Sequence, residues 1–377
     1  MVSARLTHRA HVAVAGFLAV SLLAACSADS SSDQEPTVAP PSSPASSSQA
    51  PTAGDSPITA SPTPSPTASD PTGGRDLDVD ELVVPAAAAA LPATWRERFV
   101  IGYGRGRALL GTSPGGDAGT LDIGPEYGAP GPDGSWWFLD AAKARIAHYD
   151  SSGRFLDRIR IGTKLLIGGR YFQWQLPHVL ADGMLVAARQ DPERTWLLRV
   201  RNGRIDEIPV EGSFAPTYDD GVRLYGFAGR GKPVVVDPAD GSMQRTAEFR
   251  TPSGTPFSLA VGGRLRLGLP AAGVSTTVPI VTSSGAAAHV GVQVRAGADD
   301  TLHLFLTGAG EDDESVQLVG ATLVSPAGEV AEVEALPDPF GESDPGSPAQ
   351  LVMAPGSSTP MLVYVLADGV HAYERTG

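Results

Sequence analysis

Histidine is the residue of this chain best suited to chemistry, because an imidazole can transfer protons near neutral pH and can bind transition metals. Beyond residue 26 the histidines are few and far apart: His148, His178, His289, His303 and His371. None lies at the short spacing typical of zinc sites, so the sequence predicts no metal site, no cofactor and no catalytic residue. His178 is the first candidate for a functional role, since it ends the aromatic-rich segment Gln173–His178, predicted to be a loop.

Other catalytic motifs are missing from the sequence. It has no Gly-x-Ser-x-Gly elbow and no phosphate-binding loop, and the glycines of 102–106 lack the spacing of a nucleotide-binding motif. The acidic stretches 311–314 and 342–344 lack the spacing of a calcium-binding loop. The sequence therefore leans away from an enzyme without deciding the question.

Aromatic side chains are concentrated between residues 136 and 174. Tryptophan and tyrosine bind sugars by stacking and often dominate protein interfaces. Together with His178, we predict as ligand contacts the following side chains: Trp136, Trp137, Tyr171 and Trp174. Successive residues of a strand face opposite sides, so one of the two adjacent tryptophans is expected in the core. The segment 164–178 is the best candidate for a functional loop.

Short apolar runs, broken every 8–12 residues by Asp-Gly, Gly-Gly or Ser-Gly, predict β-strands for nearly all of the folded part. Three segments share one pattern, in which a turn glycine is followed 19, 20 and 20 residues later by another. The glycine pairs are Gly134 and Gly153, Gly183 and Gly203, and Gly221 and Gly241. This constancy indicates a repeated unit of strands and turns. The only helix that the pattern allows is a short one at 86–98.

The two ends of the folded part are expected to meet. Strands predicted at 99–103, 361–366 and 370–373 do not form complete units where they stand in the chain. Pairing them would complete a blade and close a β-propeller, which removes exposed sheet edges. We therefore predict an all-β fold, a β-propeller of about six blades, with one or two β-sandwiches as the alternative.

The first repeat resembles an NHL repeat. The matching residues are Asp133-Gly134-Ser135-Trp136-Trp137-Phe138-Leu139-Asp140 and Arg145-Ile146-Ala147-His148-Tyr149-Asp150-Ser151-Ser152-Gly153-Arg154-Phe155. They follow the family pattern of an Asp-Gly turn, an aromatic strand ending in Asp, an Arg-Ile strand and Asp-x-x-Gly, although Lys143 stands where the family usually has Asn. The resemblance implies four-stranded antiparallel blades around a central channel. The wider propeller group includes lyases and lactonases.

The chain starts with features of export. Arg5 and Arg9 precede an apolar run, 12–25, that is too short to span a bilayer and has the length of a secretory signal core. Leu23-Ala24-Ala25-Cys26 resembles the lipobox of bacterial lipoproteins, and Cys26 is the only cysteine. This resemblance implies a signal peptide at 1–25 and a lipidated Cys26 that anchors the protein to the outer face of the cell membrane. An ordinary cleaved signal peptide and a single transmembrane anchor are the alternatives.

Composition divides the rest of the chain into a linker and a folded domain. Residues 26–90 are rich in Ser, Thr, Pro and Ala and are predicted to form a disordered linker after the lipidated cysteine. Residues 91–377 are predicted to form the NHL-like propeller. The net charge of −14 argues against nucleic acid as a partner.

These features predict a membrane-anchored, extracytoplasmic propeller that binds a protein or a glycan of the cell envelope, an expectation that rests on fold-level analogy. The first alternative is an enzyme of the lyase or lactonase type, and the second is a structural subunit of an envelope complex. Ionisable residues that converge in the central channel would favour the enzyme. A plugged channel with an aromatic patch on one face would favour the binding protein.

Overall fold

The computed structural model describes residues 79–112, 125, 127–161, 174–190, 195–229, 232–261, 264–310, 317–338, 349–366 and 368–376. The predicted signal peptide, Cys26, the predicted linker up to residue 78 and Tyr171 lie outside the described residues. Trp174 is described by its backbone alone.

Within these ranges the chain forms strands almost throughout, with short 3-10 helices at Ala141–Lys143 and Pro270–Ala272. In chain order the strands are β1 (Leu82–Val84), β2 (Trp95–Gly102), β3 (Gly128–Pro130), β4 (Trp136–Asp140), β5 (Arg145–Tyr149), β6 (Phe155–Arg160), β7 (Trp174–Val179), β8 (Leu185–Gln190), β9 (Thr195–Arg201), β10 (Arg204–Val210), β11 (Phe214–Asp219), β12 (Leu224–Ala228), β13 (Lys232–Val236), β14 (Met243–Arg245), β15 (Phe249–Arg250), β16 (Pro256–Val261), β17 (Arg264–Leu269), β18 (Val274–Thr282), β19 (Ala288–Ala296), β20 (Leu302–Gly310), β21 (Gln317–Val324), β22 (Glu334–Ala335), β23 (Gln350–Val352), β24 (Met361–Leu366) and β25 (Gly369–Arg375).

The strands assemble into six sheets, which are the blades of a propeller. Blade 1 is β3–β6, blade 2 is β7–β10, blade 3 is β11–β14, blade 4 is β15–β18 with β1, blade 5 is β19–β22 and blade 6 is β23–β25 with β2. Each blade has four antiparallel strands, and blade 4 has a fifth. The predicted all-β propeller of about six blades is confirmed.

Apolar clusters fill the seams between neighbouring blades. Trp136 of blade 1 packs in one cluster with Phe99 and Val363 of blade 6, and Val186 of blade 2 packs in another with Phe214 of blade 3. Because successive residues of a strand face opposite sides, a blade presents one face to each neighbour. A strand that is buried on both faces therefore has an uninterrupted apolar sequence, as β24 does.

The two ends of the propeller domain meet in blade 6. β2 pairs antiparallel with β25, from Trp95 opposite Arg375 to Gly102 opposite Gly369. The predicted closure between N-terminal and C-terminal strands is confirmed. The helix predicted at 86–98 is wrong, because Trp95 begins a strand whose buried residues pack into the seams and whose backbone pairs with β25. This pairing outweighs the helix propensity of the alanines before it.

The described structure includes a strand upstream of residue 91, where the propeller domain is predicted to begin. Leu82 and Val84 are buried, and their strand β1 pairs in parallel with β18 at the outer edge of blade 4. The chain then forms bridges from Ala86 to Leu318 and from Ala88 to Pro337 on blade 5. Residues 79–94 therefore follow the outer edges of blades 4 and 5 before the chain enters blade 6.

The Asp-Gly segments form the tight turns that their composition predicts. In the first of them, Asp133 Oδ1 accepts a hydrogen bond from the backbone N–H of Ser135 at 3.0 Å, and the glycine between them has φ of +79°. Gly153 closes the same repeat with φ of +76°, and a Cβ there would lie 2.8 Å from Phe99. Glycine is required at this position both for its conformation and for the close approach of blade 6.

Candidate functional site

The first strands of five blades surround the axis of the propeller. β7 contacts β3 and β11, and β19 contacts β11 and β23. The first strand of blade 4, β15, has only two residues and adds little to this inner surface. Side-chain hydrogen bonds connect these inner strands to one another, and they contain the candidate site.

His178 and Asp219 connect the inner strands of blades 2 and 3. His178 Nδ1 lies 2.7 Å from Asp219 Oδ2, although 41 residues separate the two in the chain. The imidazole is 1% exposed and the carboxylate 19% exposed, so the pair is buried but reaches solvent on the Asp219 side. Asp219 Oδ1 accepts a hydrogen bond from the Gly221 N–H at 3.0 Å, which fixes the carboxylate at the turn after β11.

The pKa of Asp219 lies below its ordinary value. Burial alone would raise that pKa, but the hydrogen bond from His178, the charges of His178 and Arg295, and the Gly221 N–H together outweigh it. Asp219 is therefore ionised near neutral pH and holds the proton of His178 on Nδ1. The other ring nitrogen, Nε2, is left to accept or release a proton, as in a catalytic histidine–aspartate pair.

His178 Nε2 is buried and has no hydrogen-bond partner within the described residues. A buried polar atom left without a partner costs about 1–3 kcal/mol. Native structures rarely keep such an atom without a bound water, a ligand or a chemical role. His178 Nε2 shares this property with ring nitrogens of His148 and His303, but it alone of these lies beside the buried charges of Asp219 and Arg295, which makes it the candidate position for a ligand.

Arg295 brings a buried positive charge to Asp219 from blade 5. The residue is 6% exposed, and its Nη1 donates hydrogen bonds to Thr217 O at 2.9 Å and Val294 O at 2.7 Å. Burial lowers the pKa of Arg295, while the carboxylate of Asp219 opposes that shift and keeps the guanidinium charged. We refer to His178, Asp219 and Arg295 as the inner-strand cluster.

Two glutamines continue the connections around the axis. Gln293 of β19 donates to Ala349 O at 3.1 Å and accepts from the Leu351 N–H at 2.9 Å, which ties blade 5 to blade 6. Gln350 Oε1 accepts from the Gly128 N–H of blade 1 at 3.2 Å. The Nε2 of Gln350 is buried and, in the part of the chain that the structure describes, has no partner. Unsatisfied nitrogen atoms therefore occur on two inner strands.

The two adjacent tryptophans lie on opposite faces of blade 1. Trp136 is 2% exposed and packs edge-on against Phe99 with ring centroids 5.2 Å apart. It is a core residue, and its role as a ligand contact stays a prediction. Trp137 is partly buried and stacks on His148, with ring centroids 3.8 Å apart. The expectation that one of the pair lies in the core is confirmed, since neighbouring strand residues point in opposite directions.

His178 does not lie in a loop, because it belongs to β7 and pairs with Val186 of β8. The ladder register shifts between Gln175 and His178, where Pro177 cannot donate a backbone hydrogen bond. The rest of the predicted functional loop, 164–173, lies outside the described residues. Ligand contacts by Tyr171 and Trp174 stay predictions.

The NHL-like residues Asp140 and Arg145 form a buried ion pair. Arg145 Nε lies 2.7 Å from Asp140 Oδ2, and the side chains are 1% and 0% exposed. Arg145 also donates to Arg107 O at 2.6 Å, and Asp140 Oδ1 accepts from the Gly111 N–H at 3.2 Å. Lys143, which departs from the family pattern, donates to two carbonyl groups of the same segment. The motif therefore holds the connection from blade 6 to blade 1 in place.

The remaining histidines do not join the inner-strand cluster. His148 pairs with Asp157, and His371 lies between Glu97 and Asp368. Among the described residues, no group of three or more His, Cys, Asp or Glu is arranged to hold a metal ion. No helix in those same ranges is long and apolar enough to cross a membrane.

Asp219 and Arg295 were missed by the sequence reasoning. Asp219 stands in an Asp-Asp-Gly turn, a composition that predicts a turn and nothing more. Arg295 offers a clearer signal, because it lies between Val294 and Ala296 in an otherwise apolar strand end. A charged residue at such a position needs a buried partner, but its partner is set by the arrangement of the blades.

The profile of a domain of unknown function (DUF7485) matches residues 93–375, and the chain belongs to that family. A comparison with curated proteins gives no match. Among solved structures, a streptogramin B lyase is 11% identical, with 68% of this chain and 95% of the lyase covered and a TM-score of 0.34. Regucalcin, a calcium-binding protein from Agrobacterium tumefaciens, is 13% identical over 78% of this chain and 94% of its own, with a TM-score of 0.37. A luciferin-regenerating enzyme is 12% identical over 67% and 92%, again with a TM-score of 0.37.

Proposed function

We propose that this member of the DUF7485 family is a lipid-anchored, extracytoplasmic propeller that binds a partner of the cell envelope, a protein or a glycan, through the inner-strand cluster. The observation that carries the proposal is the buried, unpartnered Nε2 of His178 beside Asp219 and Arg295. Polar groups that converge in this way on a rigid scaffold are typical of binding sites. The closed propeller keeps the three inner strands in fixed positions.

The proposed location rests on the N-terminal sequence. Cys26 follows a lipobox-like segment, and a diacylated cysteine supplies the two chains that stable membrane attachment requires. The segment between Cys26 and β1 would then connect the lipid to the outer edge of blade 4. Cys26→Ser is expected to move the protein from the membrane fraction to the soluble fraction of a bacterial host. Equal membrane retention of both forms would contradict lipid anchoring.

The second candidate function is an enzyme in which His178 acts as a general base. The observation that favours it is the bond from His178 Nδ1 to Asp219 at 2.7 Å, because an ionised carboxylate there stabilises the imidazolium formed when Nε2 takes a proton. Convergence of ionisable residues at the axis is the feature expected of the enzyme. The 1% exposure of the imidazole does not separate the two functions, since a ligand and a substrate would both have to reach Nε2.

The deciding experiment compares the full chain with two variants in the envelope of a bacterial host. Cells that express wild type, His178→Gln or His148→Gln are treated with a crosslinker, and the adducts of the chain are identified by mass spectrometry. His148 is the matched control because it too is bonded through Nδ1 to a carboxylate, at 3.0 Å, but on blade 1. Thermal melting of all three proteins checks that each is folded.

We expect one set of adducts in wild type and in His148→Gln, and its loss in folded His178→Gln. The same adducts in all three proteins would show that the partner binds elsewhere. A covalent change in a captured glycan or peptide that requires His178 would establish the enzyme in place of the binding protein.

A further inference from the structure

The hydrogen-bonding groups of the inner-strand cluster that have no partner indicate what kind of ligand would fit it. Asp219 uses one oxygen for His178 and the other for the Gly221 N–H. Arg295 places both of its described hydrogen bonds on Nη1, and within the described residues no acceptor is bonded to its Nε or Nη2. The groups of the cluster that remain available are therefore the other N–H groups of Arg295 and the Nε2 of His178.

The charges of the cluster also favour an anionic ligand. Asp219 and Arg295 compensate each other, so the cluster is neutral while His178 is neutral and carries one positive charge when His178 is protonated. A buried net positive charge is costly unless an anion accompanies it. Protonation of His178 also turns Nε2 into a donor, which adds to the donors of Arg295.

On the basis of the proposed binding function, we propose that the inner-strand cluster binds the carboxylate group of its ligand, and that His178 takes up a proton when the carboxylate binds. The carboxylate accepts hydrogen bonds from Arg295 and from protonated His178, while Asp219 stays ionised and orients the imidazole. A planar guanidinium fits the two oxygens of a carboxylate especially well.

The ionisable groups described near His178 come from two strands. Asp219 and Tyr218 belong to β11, and Arg295 to β19. The neighbouring β3, Gly128–Pro130, carries no ionisable side chain, and neither do residues 185–188 of β8, the strand paired with β7. Burial and the Asp219 charge hold Tyr218 neutral by raising its pKa well above the ordinary value. Asp219 is ionised and Tyr218 is neutral near neutral pH, so His178 is the member of the cluster whose protonation would change its charge.

Acetate and acetamide are the probes, because they have nearly the same shape and differ in charge. The full chain, with labelled histidines and in detergent micelles, is titrated with each probe at constant ionic strength, and the imidazole signals are followed by NMR. We expect acetate to raise the pKa of His178 and to bind up to about tenfold more weakly for each pH unit above that pKa. The pKa of His148 is the internal control, since its Nε2 is also buried without a partner in the described part of the chain.

Two outcomes would overturn the proposal. One is equal binding of acetamide and acetate, and the other is a pKa of His178 that acetate does not move. Arg295→Gln provides a second measurement, with acetate affinity expected to fall at least about tenfold in the folded variant. These tests need no substitution of His178, so they give an answer even if His178 variants do not fold.

The acetate titration and the crosslinking experiment can fail independently, so they test the carboxylate and the binding function separately. Adducts that depend on His178, together with no response to acetate, would leave the binding function standing and refute the carboxylate. Absence of both would refute the two proposals together.

Discussion

His303→Leu offers a sharp test of how burial controls stability in this propeller. His303 lies on β20 in blade 5 and is 6% exposed, and neither of its ring nitrogens has a partner within the described residues. Burial lowers its pKa from 6.5 to about 4, and the positive charge of Arg375 acts in the same direction. The imidazole is therefore neutral in the folded protein at pH values where it would be protonated in the unfolded chain.

The sign and size of the effect follow from this difference. Between pH 6.5 and about 4 the unfolded chain binds the proton and the folded protein does not, so the free energy of unfolding falls as the pH falls. A gap of roughly 2.5 pKa units corresponds to about 3 kcal/mol, lost in full below about pH 4. Leucine cannot be protonated, so His303→Leu should remove this dependence. At neutral pH it should cost little or even stabilise, because two unsatisfied buried nitrogen atoms disappear.

Urea unfolding followed by tryptophan fluorescence, at several pH values from about 4 to 7.5, measures the free energies. His289→Leu is the control, because His289 is exposed on the neighbouring β19 and should leave the pH dependence of wild type unchanged. The reasoning is refuted if wild type and His303→Leu lose stability in parallel as the pH falls. A loss of more than about 2 kcal/mol at pH 7 in His303→Leu would show that its ring nitrogens are bonded after all.

Three further substitutions test the connections between blades, all by urea or thermal unfolding. Arg145→Met should lower the free energy of unfolding by about 3–5 kcal/mol, because the buried carboxylate of Asp140 loses its positive partner. Arg154→Met, which removes an exposed ion pair, should lower it by less than about 1 kcal/mol. Similar losses in the two variants would contradict a structural role for the NHL-like pair. Gly153→Ala should lower the free energy of unfolding by about 1–3 kcal/mol more than Gly254→Ala. Both glycines have positive φ, but only a Cβ at Gly153 would clash with Phe99 of blade 6. Equal losses would argue against that contact. Leu82→Ala should cost about 2–5 kcal/mol, and a negligible loss would mean that β1 does not stabilise blade 4.

Much of the fold could be predicted from the sequence because propeller blades are built from local signals. Turn glycines and aspartates mark where the strands end. The alternation of side chains along a strand accounts for a fully buried Trp136 beside a partly buried Trp137 on the opposite face. Residues 99–103 and the C-terminal strands lacked partners in their own surroundings, so their pairing in blade 6 could be inferred. These inferences depend on neighbours in the chain or on the need to pair every edge.

The site depends on contacts that no local pattern encodes. The sequence by itself determined the turns, the strands and the need for closure, along with the lipobox-like start of the chain. Only the tertiary structure decided that His178 meets Asp219, 41 residues away, or that Arg295 reaches Thr217, 78 residues away. It also decided that β1 extends blade 4. Turn chemistry acts over a few residues, whereas these contacts exist because the curvature of the propeller brings the first strands of separate blades around one axis.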